Sequence, residues 1–315
     1  MVAQEEDSTI VIDVGSASAK AGFSGEDMPR AVFPAIADDL DLSTEERSTY
    51  RARRPEDLPC VGKQNLISTA IPQSRECYRA YQDGGGDEDS AASDSTAVHP
   101  VERGLLQDIE EMEKLMDNIF NFELAVYPDA HVPVLLTEPP LNDRKHRQNL
   151  ADMMFETFKV PAMCPCNSAV LALFASGRTR GLTLEVGAGV AHAVPVFEGF
   201  ALSHAVIRME GAGQDVTHQM KLMLQERGHN VEYDTVRDIK EKLCYVPFRG
   251  MEGVHHGEDE YELPDGTTIT LDTACRSKPA ELLFSPMAGG EAFVSHAGED
   301  GMANMVMQSI GMCDM

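Results

Sequence analysis

The sequence predicts an α/β protein made of two copies of one lobe, with a ligand cleft between the copies. Three observations carry this. A β-branched run, Thr9-Ile10-Val11-Ile12-Asp13, stops at Gly15 and is followed by a second strand-like stretch from Ala19 to Phe23. The same layout returns at Leu182-Thr183-Leu184-Glu185-Val186-Gly187-Ala188-Gly189-Val190-Ala191-His192. In each copy an apolar strand leads to a carboxylate, one residue, a glycine, a tight turn and a returning strand. Ile12-Asp13-Val14-Gly15-Ser16 therefore sets beside Leu184-Glu185-Val186-Gly187-Ala188 without a gap. Segments of helical periodicity fill the space between them. The 315 residues suit two domains at about 150 residues each. The first lobe is expected over 1–168, with a surface insertion at about 71–99, and the second over 169–315.

The elements follow in order. The unbroken apolar character of Thr9–Ile12 predicts a central strand covered on both faces. Residues 37–54 are charged and aperiodic and read as a surface excursion. The stretch from Asp83 to Asp94 is Gly-, Asp- and Ser-rich and cannot bury apolar area. It reads as a solvated acidic loop, with an acidic docking site as the other reading. Gly104 is expected to open an amphipathic helix whose stripe is Leu105, Ile109, Met112, Met116, Ile119 and Phe120. Val132–Thr137 reads as a strand closed by Glu138-Pro139-Pro140. A second helix is expected from an N-cap at Asn142 to about Phe158, with Asp152 on its polar stripe. Further helices are expected over Asp215–Glu226 and Asp238–Tyr245. Pro264-Asp265-Gly266 supplies a turn before the strand Thr267–Leu271. The Met-rich end from Met302 reads as partly helical, its methionines filling a core.

Composition narrows the functions. Hydrophobic residues make up 43% of the chain, enough for sizeable cores. Acids outnumber bases 52 to 26, a net charge of -26. That balance opposes nucleic-acid binding by bulk positive charge and favours basic partners or a divalent cation. No apolar run approaches the roughly 18 residues of a membrane span, and the acidic N-terminus lacks the basic start of a signal peptide. The chain is expected to be soluble and intracellular. Seven cysteines do not read as a disulfide framework. Cys164-Pro165-Cys166 is expected to be buried thiol rather than a metal site, and His255-His256 lacks ligand partners at helical spacing.

The paired turns suggest their chemistry. A Gly-rich turn aims backbone N–H groups at one point, which holds a phosphate chain with few side-chain charges. Ser16 adds a hydroxyl and Lys20 a positive charge. An acid at each strand end suits a hydrated divalent cation. His192 has two readings, a packed core residue or a water-orienting group.

The chain resembles actin and the actin-related proteins. The residues that carry the likeness are Ala21-Gly22-Phe23 with Pro29–Pro34, Leu135-Leu136-Thr137-Glu138, Met154–Phe158, Ala175–Thr179, Glu198–Leu202, Arg237–Tyr245 and Glu262–Gly266. Their order runs from about Thr9 to the end. The resemblance implies an actin-like ATPase fold, with ATP or ADP and Mg²⁺ or Ca²⁺ in the cleft. It implies a first phosphate loop at Asp13, Gly15, Ser16 and Lys20, and a second at Glu185, Gly187 and Gly189. Gly213, Arg237, Lys240 and Glu241 fall where the family contacts ribose and adenine. Asp13 and Glu185 would hold the cation through waters. Other actin-family subunits or actin-binding proteins are the implied partners, with no nucleic acid and no membrane. The implied setting is the cytoplasm and cytoskeleton, or the nucleus.

Departures from the family bear on catalysis. Asp152 stands where a water-orienting glutamine is expected, and with His192 it is the candidate catalytic pair. Glu185, Val186 and Ala188 replace two aspartates and a serine, and Ala17 replaces a glycine. The segment 38–59 matches the family's subunit-contact loop poorly. The family continues past Met315 with another Gly-rich turn and helices, so the C-terminal part reads as incomplete: a truncated product, or a variant whose bared faces a partner covers. The leading expectation is a nucleotide-binding actin-like protein with weak or absent hydrolysis. The alternative is a non-catalytic actin-fold scaffold subunit of a cytoskeletal or chromatin complex. A sugar or acetate kinase of the same superfold is a third, lesser reading.

Overall fold

The structure, a computed structural model, describes residues 9–35, 99–126, 132–247, 257–289 and 300–313. The expected features at 37–59 and 71–98, and His255-His256, lie outside them. The chain divides into two compact units, Met1–Ser168 and Ala169–Met315.

The first unit is organised by a five-stranded sheet. Its strands are β1 (Ile10–Val14), β2 (Ser18–Phe23), β3 (Ala31–Pro34), β6 (Val134–Glu138) and β7 (Met163–Asn167), in the order β3-β2-β1-β6-β7. Strand β1 is antiparallel to β2 and parallel to β6, and β6 is parallel to β7. The expected first strand is central, but it is not covered equally on both sides. Ile10 and Ile12 are buried, while Val11 and Asp13 are half-buried. The sequence hid this alternation because apolar residues stand on both faces.

Two helices pack on the buried face. Helix α1 runs over Ile109–Asn118, and α2 over Arg144–Asp152. Gly104 does not open α1. It sits at φ +74°, beside Arg103 at +46°, in the turn between the short strands β4 (Val101–Glu102) and β5 (Leu105–Leu106). The helix starts after Asp108, whose carboxylate accepts the N–H groups of Glu110 and Glu111 at 2.9 and 3.2 Å. An acid at that position also suits the helix dipole. The cap of α2 is Asp143, not Asn142, and it accepts the Lys145 N–H at 3.4 Å.

Both helices end in the same way. A five-residue π-turn follows each, Ile119–Glu123 and Met153–Thr157. Then comes a left-handed non-glycine residue, Ala125 (φ +51°) or Lys159 (φ +55°). A long bond closes each end, from the Val126 N–H to the Phe120 carbonyl and from the Val160 N–H to the Met154 carbonyl. The wide turn buries adjacent pairs, Ile119-Phe120 and Met153-Met154, which an ordinary α-turn would rotate apart. The Phe120 and Phe158 rings meet at 5.2 Å between centroids.

The second unit begins with α3 (Ser168–Ala175), which starts at the unit boundary. A four-stranded sheet has β9 (Ala191–Phe197) at its centre. Strand β8 (Gly181–Val186) pairs with it, as do β10 (Phe200–Ala201) and β11 (Ile207–Met209). Helices α4 (Gly213–Glu226), α5 (Tyr233–Leu243) and α6 (Thr273–Glu281) accompany the hairpin β12–β13, Asp259–Glu262 with Thr268–Leu271. Helix α4 buries Val216, Met220, Met223 and Leu224, and Gly228 follows it at φ +85°. Helix α5 starts five residues before the expected Asp238, because Thr235, Val236 and Ile239 already form its buried stripe. The buried Arg276 ties this part together: it donates to the carbonyls of Leu243 and Gly257 and pairs with Asp259. Helix α7 (Met302–Gly311) packs Met302 and Met305 against Ala191, Ala193 and Met209. Contrary to expectation, Met307 and Met312 of this end are exposed rather than core-filling, because they lie off that stripe. No helix among the described residues is long and apolar enough to cross a membrane.

Candidate functional site

The first hairpin is a four-residue turn between β1 and β2. The Gly15 N–H donates to the Ser18 carbonyl at 3.0 Å. A Cβ at Gly15 would stand 3.4 Å from that carbonyl oxygen, so the turn has little spare room. Asp13 pairs in register with Lys20. The Lys20 ammonium donates to Asp13 Oδ2 at 3.0 Å, and Thr137 Oγ1 donates to Oδ1 at 2.6 Å. Both sides of the carboxylate are thus oriented, with 36% of its side chain still open to solvent. Ser16 is buried, and its hydroxyl accepts the Gly104 N–H at 3.0 Å, which leaves its proton to donate elsewhere.

The second hairpin repeats this backbone. The Gly187 N–H donates to the Val190 carbonyl at 3.0 Å, and a Cβ at Gly187 would lie 3.3 Å from that oxygen. Glu185 pairs in register with His192, as Asp13 does with Lys20. His192 differs sharply from Lys20. It is 4% exposed, and its Nε2 has no hydrogen-bond partner among the described residues. Burial, then the neighbouring Arg208 guanidinium, lowers its pKa to about 4. The ring is neutral near pH 7. A buried orphan nitrogen of this kind calls for a water or a ligand atom.

Helix α4 braces the second turn. The N–H groups of Gly213 and Gln214 donate to the carbonyls of Gly187 and Ala188 at 3.1 and 2.7 Å. The Lys240 ammonium donates to the Gly213 carbonyl at 3.1 Å. A Cβ at Gly213 would meet Gly187 O at 3.2 Å, so any larger residue would crowd this close backbone approach. Burial lowers the Lys240 pKa, with Glu241 opposing the shift. Arg237, Lys240 and Glu241 share one face of α5 by their i, i+3, i+4 spacing. Arg237 also pairs with Asp234 at 3.5 Å. The structure therefore brings Gly187, Gly213 and Lys240 together, with Arg237 and Glu241 alongside.

Asp152 is not brought to the first hairpin. Strands β6 and β7 are parallel, so α2 runs back between them, and its last residue lies toward the strands' amino ends. Asp13 and Thr137 stand at the carboxyl ends, where open α/β sheets place ligands. Asp152 is exposed at the other end, about 13 Å along the helix from its start. The polar residues at the carboxyl end of β7 are Asn167 and Ser168. Sequence reading missed these two and Thr137. The signal was available: parallel strands joined by a helix put the useful groups just after each strand.

Each turn, taken within its own unit, offers backbone donors that suit a phosphate group. Among the described residues, nothing takes the N–H groups of Ser16, Ala17 or Ala188, Lys20 is half exposed, and Asp13 is held with spare lone pairs. Among the described residues, no group of three or more His, Cys, Asp or Glu stands together to hold a metal ion directly. Comparison with known families finds that residues 4–234 and 229–315 match the family model described as Actin.

Proposed function

Because the chain belongs to the actin family, we propose that it binds ATP or ADP with Mg²⁺ or Ca²⁺ and serves a cytoskeletal role, with little or no hydrolysis. The observation that carries this is the repeated hairpin: one turn bond, one register and one carboxylate position, present in each unit. In the first hairpin, Asp13, Gly15, Ser16 and Lys20 would meet the phosphates. Glu185, Gly187 and Gly189 would do so in the second, with Gly213, Arg237, Lys240 and Glu241 toward the nucleoside. Asp13 and Glu185 would hold the cation's waters, and the cation would neutralise phosphate charge. Asn167 and Ser168, at the carboxyl end of β7, would take the place expected of Asp152 on the phosphate side of the sheet. Slow hydrolysis follows from the second turn. Ala188 and Val186 offer no side-chain oxygen to position water, and phosphoryl transfer depends mainly on such positioning. The neutral His192 could orient a water but would not keep a second ring proton near pH 7.

A specific observation favours the second reading, a non-catalytic actin-fold scaffold: Val186, beside the acid of the second turn, is apolar and 41% exposed. Actin-family subunits or actin-binding proteins are the partners under either reading, in the cytoplasm or nucleus. The net charge of -26 opposes self-association, and the chain alone is not expected to pellet as filaments. Gel filtration in Mg²⁺–ATP separates the readings. About one nucleotide retained per chain, with slow phosphate release in a single-turnover assay, supports the first. A monodisperse, nucleotide-free chain supports the scaffold.

A further inference from the structure

Among the described residues, strand β7 is an edge of the first sheet, and it carries Cys164-Pro165-Cys166, which the proposed nucleotide site does not use. These thiols are not buried as the sequence suggests: Cys164 is exposed and Cys166 half-buried. Residues two apart on a strand share a face, and the two sulfurs stand 3.5 Å apart. Cys166 is in register with Thr137, so both sulfurs lie on the half-open face of the sheet. From this geometry we propose that Cys164 and Cys166 form a chelating dithiolate site for a soft, thiophilic cation of the cadmium or copper(I) class.

The alternative use of two close thiols, a disulfide, suits this strand less well. It needs sulfurs at about 2.05 Å and Cα atoms no more than about 6.8 Å apart. Residues two apart on a strand already stand about 6.6–6.8 Å apart. Closing the bond would pucker β7 around Pro165, whose φ is fixed. Chelation asks for almost no movement. Two zinc-length bonds to sulfur, about 2.3 Å at a tetrahedral angle, set their sulfurs about 3.8 Å apart, and a larger thiophilic cation opens that separation by a few tenths of an ångström more. Thiolate pairs select soft cations over Mg²⁺ or Ca²⁺, which take oxygen ligands. Two S–H bonds break, two metal–sulfur bonds form, and two protons leave. Each ligand must give up its proton to bind, so affinity should climb with pH. The remaining coordination positions go to water or to a second molecule.

The probe is Cd²⁺ alone, titrated into the full chain under reducing conditions and followed by its thiolate charge-transfer absorption. The expected result is one tightly held Cd²⁺ that is lost in Cys164→Ser and in Cys166→Ser alike. Equal binding by either single variant and the parent chain would overturn the proposal. Differential alkylation of the unmutated chain, read by peptide mass spectrometry, does not depend on the variants folding. Cd²⁺ should protect Cys164 and Cys166 together. Unchanged alkylation of both would sink the site, as would formation of a Cys164–Cys166 disulfide in glutathione disulfide that goes to completion with Cd²⁺ present.

Discussion

The two hairpins share a turn and a register, yet they sit in different sheets and are held by different means. In the first, β1 lies between β2 and β6, and the neighbouring strand sends Thr137 to fix Asp13. In the second, β8 is paired, among the described residues, on one side only, and the loop is held from outside by α4 and Lys240. Opposite the acid stands an exposed, charged Lys20 in one copy and a buried, neutral His192 in the other. The comparison teaches that one local backbone solution can be anchored through a strand ladder or through a helix N-terminus. It also teaches that the residue across the ladder decides whether the acid of the turn faces a half-exposed ammonium or a buried neutral ring.

The largest test of this contrast is acidification. His192 has its pKa lowered to about 4 in the fold, against about 6.5 unfolded. Between those values the unfolded chain binds the extra proton, so stability falls as pH drops through that window. The loss should reach about 3 kcal/mol by pH 4. Urea unfolding at pH 7 and pH 4.5 should show this in the parent chain and far less in His192→Gln. Equal pH dependence of the two would remove the distinction between the hairpins.

Next in size is Lys20→Ala. If the first hairpin carries the charge, nucleotide affinity should weaken by about 1.5–3 kcal/mol, the range for hydrogen bonds to charged groups. Isothermal titration would read it, and an unchanged affinity would take Lys20 out of the site. The smallest effect tests the likeness instead. Gly15→Ala and Gly187→Ala bring a Cβ to 3.4 and 3.3 Å from the matching carbonyl oxygens. A stiffer unfolded chain offsets this crowding, so each should shift stability by less than about 1 kcal/mol, and by the same amount. Thermal melts that separate the two variants would show that the turns are not equivalent.

Much of this was legible in residue order. The repeat at Asp13 and Glu185 is a local pattern, and Gly15 and Gly187 mark its turns. Helix α4 announced its buried stripe at Val216, Met220, Met223 and Leu224. What failed was one local competition for a helix start, and features set by partners distant in sequence. Asp108 outcompetes Gly104 as a helix start because its carboxylate reaches two N–H groups. Asp152 looked well placed beside a familiar motif, but the return of the chain between two parallel strands carries it to the wrong end. Thr137 became visible as Asp13's anchor only once β6 lay beside β1.

The wide turns that close α1 and α2 have a consequence for chain length. Each spends five residues where an α-turn spends four, at the same point and with the same sequel. Removing one residue inside such a turn would restore ordinary pitch and swing every later side chain about 100° around the axis. Phe120 and Phe158 would then lose their mutual contact. The two helices therefore carry matched surplus residues that the packing has come to require, and neither can be shortened there without re-aiming the core beneath the sheet.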